Sequence, residues 1–159
     1  MGECLINTKL GPLAAAWEGD KLIELHMAVG EGVGPSKLHG FAKELQEELT
    51  KYFTGQLRRF EMPFQLPDGP EFFRKVWLLA AEIPYGTITS YGELAREAGN
   101  PRAARAVGGA MRNNPILLYV PCHRVVAGNG GLGGFGGDVN CGKVIFKKKL
   151  LALEGVHFA

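Results

Sequence analysis

The sequence has no long hydrophobic run, and its first residues do not have the pattern of a secretory leader. None of its segments reaches the roughly 18 uninterrupted apolar residues that a membrane-spanning helix needs. The beginning of the chain, MGECLINTKLG, lacks the basic start and apolar stretch of a signal peptide. These absences argue against a membrane protein and predict a cytoplasmic protein, or a nuclear one if the source is a eukaryote.

The sequence is also poor in cysteine, with three among 159 residues. Cys4, Cys122 and Cys141 are odd in number and far apart, which argues against a disulfide framework and fits a reducing compartment. At least one thiol is therefore expected to be free. Cys4 has small apolar neighbours, so we expect it to be structural.

The charge is unevenly distributed along the chain. Residues 1–69 carry seven Lys and Arg against ten Asp and Glu, and residues 70–159 carry eleven against six. The two parts are therefore −3 and +5, in agreement with the net charge of +2. A polyanionic partner would meet the second part. Uneven solvated charge without a partner is the alternative on this signal alone.

Hydrophobic patterning predicts an α+β fold in two lobes, residues 1–69 and 70–159. Three short apolar segments between Glu3 and Met27, separated by glycine-containing turns, predict an antiparallel three-stranded meander. Apolar residues at helical spacing predict a helix near residues 37–53, so the first lobe is α/β-like. The proline-rich stretch Arg58–Gly69 reads as an extended linker between the two lobes.

The second lobe is predicted to be mainly helical and to contain a helix-turn-helix. A first helix is predicted over residues 70–83, with its aromatic side chains in the core. Ser90 can cap a second helix that ends at Gly99, and Asn100-Pro101 can begin a third. The two later helices, joined by a short turn, form the helix-turn-helix.

The last helix of this motif is almost free of bulky side chains. Alanine and glycine fill most of residues 103–110, whereas Arg102, Arg105 and Arg112 project from the helix. A glycine destabilises a helix by about 1 kcal/mol relative to alanine, so two in succession predict that another group approaches the backbone closely. Tight packing of the helix against the core is the alternative.

Cys122 ends an apolar run and directly precedes His123. Burial alone would raise the pKa of a thiol and leave it unreactive, whereas a neighbouring base that accepts its proton makes it a nucleophile. The pair therefore indicates a reactive cysteine, although a dipeptide alone is a weak signal.

The hexapeptide PCHRVV at residues 121–126 resembles the active-site motif of O6-alkylguanine-DNA alkyltransferases. Asn114 precedes it, Tyr91 and Arg105 lie in the helix-turn-helix, and a closing LLALEG segment follows, all in the order found in that family. The similarity is strong over the second lobe and general over the first. It implies DNA repair by direct reversal, in which the protein moves an alkyl group onto its own cysteine and is consumed.

The resemblance implies that Cys122 is the alkyl acceptor for O6-alkylguanine, with O4-alkylthymine open as a second substrate. It implies that His123 acts as the base through a water molecule and that Glu154 orients His123. A carboxylate in that place fixes the tautomer of the imidazole and supports the cation that forms. Asn114 would hold the turn beneath the cysteine by hydrogen bonds to the backbone. No cofactor takes part in this transfer.

The family acts on a nucleotide turned out of double-stranded DNA. By resemblance, Arg105 fills the gap left in the base stack, and Tyr91 crowds the phosphate and helps to turn the base out, which also makes it part of the catalytic set. The last helix would lie in the minor groove, where alanine and glycine leave room. The residues expected to meet DNA are Tyr91, Gly92, Asn100, Arg102, Arg105 and Ala106. Arg102 and Lys75 are candidate phosphate contacts or simply solvated charges.

A pocket lined by backbone is expected to recognise the turned-out guanine. The resemblance places the carbonyl groups of Cys122 and Val125 at the guanine amino group and the glycine-rich segment 131–137 over the ring. The residues expected to line the pocket are Leu117, Val125, Phe135 and Gly136. A flexible loop is the alternative interpretation of the glycine-rich segment.

Three features depart from the family pattern. The loop 138–145 is longer than usual, which leaves the limit on alkyl size open, and Cys141 within it is expected to be a bystander rather than a second reactive thiol. The lysine run 147–149 is expected to be a solvated helix face, with phosphate contact as the alternative. Some members bind zinc in the first lobe, but the only candidates here are Cys4, His26 and His39. Their spacing does not match, so we expect no metal.

Two other functions remain open on the sequence. Alkyltransferase-like proteins recognise the same lesion without an acceptor cysteine, and the presence of Cys122 argues against that class. Cysteine hydrolases usually take their cysteine and histidine from distant parts of the chain and need an oxyanion hole. We expect a monomer whose partner is double-stranded DNA.

Overall fold

The computed structural model describes residues 1–28, 32–128 and 144–156, without the side chains of residues 144 and 145. The chain divides into two compact units, Met1–Pro67 and Asp68–Ala159. Among the described residues, no helix has both the length and the apolar character needed to cross a membrane. Phe135, Gly136 and Cys141 lie outside the described residues, as do the rest of the predicted guanine-covering segment and residues 138–143 of the predicted loop.

The first unit contains the predicted antiparallel meander. Its strands are β1 (Gly2–Thr8), β2 (Gly11–Glu18) and β3 (Lys21–Met27), paired in that order. Alternate residues point to one face, so Ile6, Leu13 and Leu25 are buried together in the core. The α+β class predicted from the sequence is confirmed.

Helix α1 (Gly40–Phe53) packs its apolar stripe into the core of this unit. The stripe includes Leu45 and Leu49, both buried, and Trp17 of β2 stacks on Phe41 with ring centroids 5.1 Å apart. The helix begins three residues later than the sequence predicted. The preceding residue is extended and Gly40 has a φ of +57°, a conformation that cannot continue a right-handed helix.

The stretch predicted as a linker is partly built into the first unit. Leu22 of β3 donates its N–H to the Pro63 carbonyl at 2.9 Å and accepts from the Gln65 N–H at 2.9 Å, forming a short parallel bridge. This pairing satisfies backbone groups of an edge strand that would otherwise stay open. Part of the stretch predicted as a linker therefore pairs with β3, and the first unit continues to Pro67.

The second unit carries four helices and a short parallel strand pair among its described residues. They are α2 (Glu71–Ala81), β4 (Thr89–Ser90), α3 (Tyr91–Glu97), α4 (Ala104–Arg112), β5 (Val125–Val126) and α5 (Val144–Leu153). As predicted, Ser90 caps α3, because its hydroxyl accepts the Glu93 N–H at 3.0 Å. The pairing of β4 with β5 was not predicted; it joins the start of α3 to the residues that follow Cys122.

Helix α4 does not begin at Asn100-Pro101 as predicted. The Asn100 side chain accepts the Arg102 N–H at 3.2 Å, and the Asn100 carbonyl accepts the Ala103 N–H at 3.0 Å. These bonds close a turn in which asparagine mimics backbone. The helix therefore begins only at Ala104.

Packing against α2 accounts for the glycines of α4. Gly108 is buried, and a Cβ atom at Gly109 would lie 3.4 Å from the Phe73 ring of α2. Tight helix packing, the alternative weighed from the sequence, therefore applies to these two positions. Ala106, by contrast, is exposed, and its small side chain projects little from the surface of α4.

Candidate active site

Cys122 begins a single 3-10 turn, Cys122–Arg124, between α4 and β5. The apolar run before it, residues 116–120, is buried, and the Cys122 N–H donates to the Val120 carbonyl at 2.8 Å. Leu118 in this run has a φ of +73°, a left-handed conformation that a branched residue keeps only when its surroundings enforce it. The cysteine side chain thus sits in a rigid, dry setting, with 1% of the residue exposed. Its sulfur is disulfide-bonded in the structure, contrary to the expectation of free thiols drawn from the cysteine spacing.

The Asn114 side chain holds this turn from beneath, as the resemblance implied. Its Nδ2 donates to the Val120 carbonyl at 2.6 Å and lies 3.1 Å from Cys122 Sγ. Its Oδ1 accepts the Ile116 N–H at 2.9 Å. Asn114 is completely buried, so each of these bonds replaces a contact with water that the side chain has lost.

The structure brings His123 and Glu154 together. Glu154 directly follows α5, and its Oε2 lies 2.7 Å from His123 Nε2 with both side chains buried. A carboxylate only accepts hydrogen bonds, so Nε2 carries the hydrogen and Nδ1 keeps a lone pair in the neutral ring. Nδ1 is buried and has no hydrogen-bond partner among the described residues. The imidazole is therefore oriented as a proton acceptor.

Arg124 is the second partner of Glu154. Its Nε donates to Glu154 Oε1 at 2.8 Å and its terminal nitrogen donates to Oε2 at 2.9 Å, a bidentate pair. Burial alone would raise the pKa of Glu154, but the hydrogen bonds from His123 and Arg124 outweigh it and hold that pKa well below its usual range. Glu154 is therefore an ionised carboxylate throughout the physiological range of pH.

Burial determines the protonation state of His123. It lowers the pKa of the imidazole below the ordinary value, although the hydrogen bond and charge of Glu154 oppose that effect. The positive charges of Arg124 and Lys147 lower the pKa further. His123 is thus neutral near pH 7, which is the state that a base requires.

Lys147 is buried at the site, contrary to the prediction of a solvated lysine face. Its Nζ donates to the Val125 carbonyl at 2.6 Å and to the Tyr91 hydroxyl at 3.3 Å, and it lies 5.5 Å from the centre of the Tyr91 ring. Burial lowers the pKa of Lys147 to about 8 and raises that of Tyr91. The prediction holds for Lys148 and Lys149, which are exposed.

Some of the residues predicted to contact DNA are exposed, and others are buried or half-buried. Tyr91 is buried beside Lys147, and Gly92 is half-buried. The remaining residues are exposed in the turn before α4 and on its first turn: Asn100, Arg102, Arg105 and Ala106. Lys75 of α2 is also exposed and near this turn, since its Nζ would lie 3.7 Å from a Cβ at Gly99.

The predicted guanine pocket is described only in part. Val125 is buried, and its carbonyl already receives the Lys147 ammonium group. Leu117 is completely buried, with its carbonyl accepting the Tyr119 N–H at 2.9 Å. Leu117 thus belongs to the support of the Cys122 turn through its backbone.

The sequence analysis placed neither Arg124 nor Gly86 at the site, and it read Lys147 as a solvated lysine or a phosphate contact. The Gly86 N–H donates to Glu154 Oε1 at 3.1 Å. Lys147 had a usable signal, because it stands three and four residues before Leu150 and Leu151 and so shares their buried helix face. Gly86 and Arg124 contact a residue at least 30 positions away. No local pattern indicates such a contact.

The part of the chain that the structure describes contains no cluster of metal-binding side chains. No group of three or more His, Cys, Asp or Glu side chains there could hold an ion. Cys4 in β1 is a free, half-buried cysteine, as the sequence analysis expected of at least one thiol. Burial raises its pKa, which suits a structural residue.

Comparison with known proteins agrees with this geometry. The family model described as the 6-O-methylguanine DNA methyltransferase DNA-binding domain matches residues 71–156. The methylated-DNA–protein-cysteine methyltransferase of Mycobacterium bovis is 40% identical over 154 residues, covering 94% of this chain and 89% of that protein. The enzyme of that name from Methanosarcina acetivorans is 44% identical over 115 residues, covering 72% and 70%. The crystal structure of Mycobacterium tuberculosis OGT in complex with DNA is 38% identical with a TM-score of 0.79, covering 94% and 90%.

Proposed function

Because the chain belongs to the 6-O-methylguanine DNA methyltransferase family, we propose that it repairs alkylated DNA by moving the alkyl group onto Cys122. The observation that carries the proposal is the 2.7 Å contact between His123 Nε2 and Glu154 Oε2, directly beside the cysteine in the chain. It leaves the Nδ1 lone pair as the base. We assign this chemistry and the DNA contacts to the second lobe, residues 70–159.

In the reduced protein, where Cys122 is a thiol, His123 activates it by accepting its proton through a bridging water. Glu154 fixes the imidazole tautomer and stabilises the imidazolium that forms, while Arg124 keeps Glu154 ionised. The dry surroundings of the sulfur strengthen each of these electrostatic interactions relative to water. Asn114 fixes the direction from which the sulfur attacks, since its Nδ2 lies 3.1 Å away.

The transfer forms one sulfur–carbon bond and breaks one carbon–oxygen bond. The Cys122 sulfur attacks the alkyl carbon, the electron pair of the broken bond returns to guanine O6, and the proton taken from the thiol ends on the guanine ring. The product is a thioether, which water does not hydrolyse as it does a thioester. Each molecule therefore repairs one lesion, and no cofactor is consumed.

The alkyl carbon has to reach a cysteine that is almost completely buried. We infer that the nucleotide turns out of the duplex, which costs a few kcal/mol in lost stacking. Arg105, exposed on the first turn of α4, fills the gap in the stack from the minor groove. Tyr91, held by Lys147 beside the Val125 carbonyl, contacts the nucleotide as it turns.

The substrate of this site is O6-alkylguanine, and O4-alkylthymine is the second base with an alkylated oxygen that the same attack fits. The Val125 and Cys122 carbonyl groups accept hydrogen bonds from the guanine amino group, which thymine lacks. We therefore expect O4-alkylthymine to react more slowly. Duplexes that carry one or the other lesion test this difference.

Intact mass measurement tests the proposed function. The protein is incubated with a duplex carrying one O6-methylguanine, beside the Cys122→Ala variant and a Cys4→Ala control. We expect the gain of one methyl group on the Cys122 peptide, stopping at one equivalent, in the wild type and in Cys4→Ala. Cys122→Ala should gain none.

Two other outcomes would replace the proposal. Tight binding to the lesion without a change of mass would indicate a damage-recognition protein. Repeated turnover of an ester or amide that depends on Cys122 would indicate a hydrolase.

A further inference from the structure

A tight turn at residues 84–87 lies against the Glu154 side chain. The turn is closed by Thr87, whose N–H and hydroxyl both donate to the Pro84 carbonyl, at 3.2 and 2.8 Å. Within it, Gly86 donates its N–H to Glu154 Oε1 at 3.1 Å, and the Tyr85 hydroxyl donates to the Leu153 carbonyl at 3.2 Å. The turn is thus bonded both to the carboxylate and to the end of α5.

The Gly86 N–H completes the set of donors around the carboxylate. Glu154 Oε1 accepts from Arg124 Nε and from the Gly86 N–H, and Oε2 accepts from His123 and from the second Arg124 nitrogen. A carboxylate offers about four acceptor positions, and all of them are used here. Rotation of the Glu154 side chain would therefore break a hydrogen bond on both of its oxygens.

Only glycine fits this position without strain. Gly86 has a φ of +76°, and a Cβ atom there would lie 3.2 Å from the Glu154 carbonyl oxygen. An L-residue would be strained in the backbone and would push the turn away from Glu154. The glycine thus permits the N–H to approach the carboxylate.

We propose that Gly86 is a positioning residue for alkyl transfer: its N–H fixes the orientation of the Glu154 carboxylate, which in turn fixes the ring of His123. This inference rests on the proposed roles of Cys122, His123 and Glu154 and adds a residue to them. The Tyr85 ring of the same turn lies 5.8 Å from the Arg124 guanidinium, and Gly86 is the residue of the turn whose backbone bonds the carboxylate. Displacing the Gly86 N–H therefore slows the transfer and leaves lesion binding unchanged.

The variants Gly86→Ala and Gly86→Asn test the proposal, with Gly55→Ala as the matched control. Gly55 has nearly the same φ, +79°, but a Cβ there has nothing within 4 Å, so the control carries the backbone strain alone. Asparagine tolerates left-handed φ better than alanine, so Gly86→Asn keeps the crowding and reduces the strain. Partial unfolding of one variant therefore does not decide the result.

Single-turnover kinetics on the O6-methylguanine duplex distinguish an effect on the active site from a loss of folded protein. The amplitude counts folded molecules, and the rate constant reports the site in each of them. We expect the rate constant to fall about tenfold in both Gly86 variants and to stay unchanged in Gly55→Ala, with equal affinity for lesion DNA in all three. A loss of amplitude alone, or a loss of DNA affinity, would overturn the proposal.

A double-mutant cycle shows whether Gly86 acts through Glu154. In the Glu154→Gln background the Gly86→Ala change should have no further effect on the rate constant, because the carboxylate it positions is gone. The same fractional loss in both backgrounds would mean a general structural role and would contradict the proposal.

The imidazole nitrogen signals of His123 give a readout that does not need alkyl transfer. They should shift in Gly86→Ala, because the ring loses its fixed partner, and stay in place in Gly55→Ala. A wild type that transfers no alkyl group would refute the proposed function. Unshifted signals in Gly86→Ala would refute this inference instead.

Discussion

The side-chain nitrogen of Asn114 lies 3.1 Å from the sulfur of Cys122. The same side chain bonds the Val120 carbonyl and the Ile116 N–H, so it connects the sulfur to the run of residues that leads to it. Because Cys122 is buried, a group added to the sulfur has to displace neighbours in this network. The Cys122 sulfur and the support of its turn are therefore one packed unit.

Replacing Asn114 by alanine should destabilise the protein. The change leaves the buried Ile116 N–H without the Asn114 acceptor, which costs about 1–3 kcal/mol, and removes one of the two hydrogen bonds to the Val120 carbonyl. Urea unfolding measures the loss. The control is Asn113→Ala, which removes an exposed side chain that bonds the Gly109 carbonyl; equal losses in the two variants would contradict the prediction.

Alkylation should itself lower stability. A methyl group on the Cys122 sulfur enters a closely packed site and disturbs the Asn114 contact, and overpacking of this kind costs about 1–3 kcal/mol. The melting temperature is measured before and after one equivalent of O6-methylguanine duplex, once the DNA has been removed. Cys122→Ala treated in the same way should show no change, and an unchanged wild-type value would refute this expectation.

Lys147→Met should slow alkyl transfer and lower stability. The Tyr91 hydroxyl and the Val125 carbonyl lose their shared donor, and we expect a fall in rate of about tenfold. The free energy of unfolding should also decrease, because methionine cannot replace the hydrogen bonds that Lys147 donates to these two buried groups. Lys148→Met, at the exposed neighbouring position, should match the wild type in both measurements.

Alkyl transfer should keep its neutral-pH rate below about pH 6.5, the ordinary pKa of histidine. Burial lowers the pKa of His123, so the protonated form is disfavoured and the ring remains a base as the pH falls. The same lowered pKa makes the folded protein less stable at acidic pH. The unfolded chain takes up this proton near pH 6.5 and the folded chain does not, so the free energy of unfolding decreases below that pH. A rate that halves near pH 6.5 would contradict the assignment.

Arg105→Ala should impair repair in duplex DNA only. Arg105 is exposed on α4 and has no part in the buried His123–Glu154 pair, so the reaction with O6-alkylguanine as a free base should keep its rate. On the duplex we expect a loss of about ten- to hundredfold, because the turned-out state loses its support. Arg96→Ala, which breaks only an exposed pair with Glu93, is the control. Equal losses on both substrates would refute the proposed role.

The sequence predicted the elements of the fold better than their ends. The strands of the first unit and the capped helix after Ser90 follow from alternation and from one side-chain bond, both of which are local. The predicted start of α4 was wrong because asparagine can act either as a helix cap or as a turn residue, and Asn100 acts as a turn residue. Which use prevails depends on backbone bonds that no propensity encodes.

The resemblance brought Cys122, His123 and Glu154 forward from the sequence, and the structure places the last two 2.7 Å apart. Their roles stay predictions. The partners that complete the carboxylate were not foreseen, because Gly86 and Arg124 meet Glu154 only after folding. Glycine in a turn signals a backbone conformation, and only the tertiary contact gives it a function.

The burial of Cys122, the proposed alkyl acceptor, has a consequence for selectivity. A protein that reacts once cannot recover from reaction with the wrong electrophile, and reactive alkylating agents in the surrounding solution are such electrophiles. With Cys122 almost completely enclosed, only a group delivered inward by specific binding meets the sulfur. The transfer at the site can therefore be fast and still selective, because binding selects the group that reaches the sulfur before any reaction takes place.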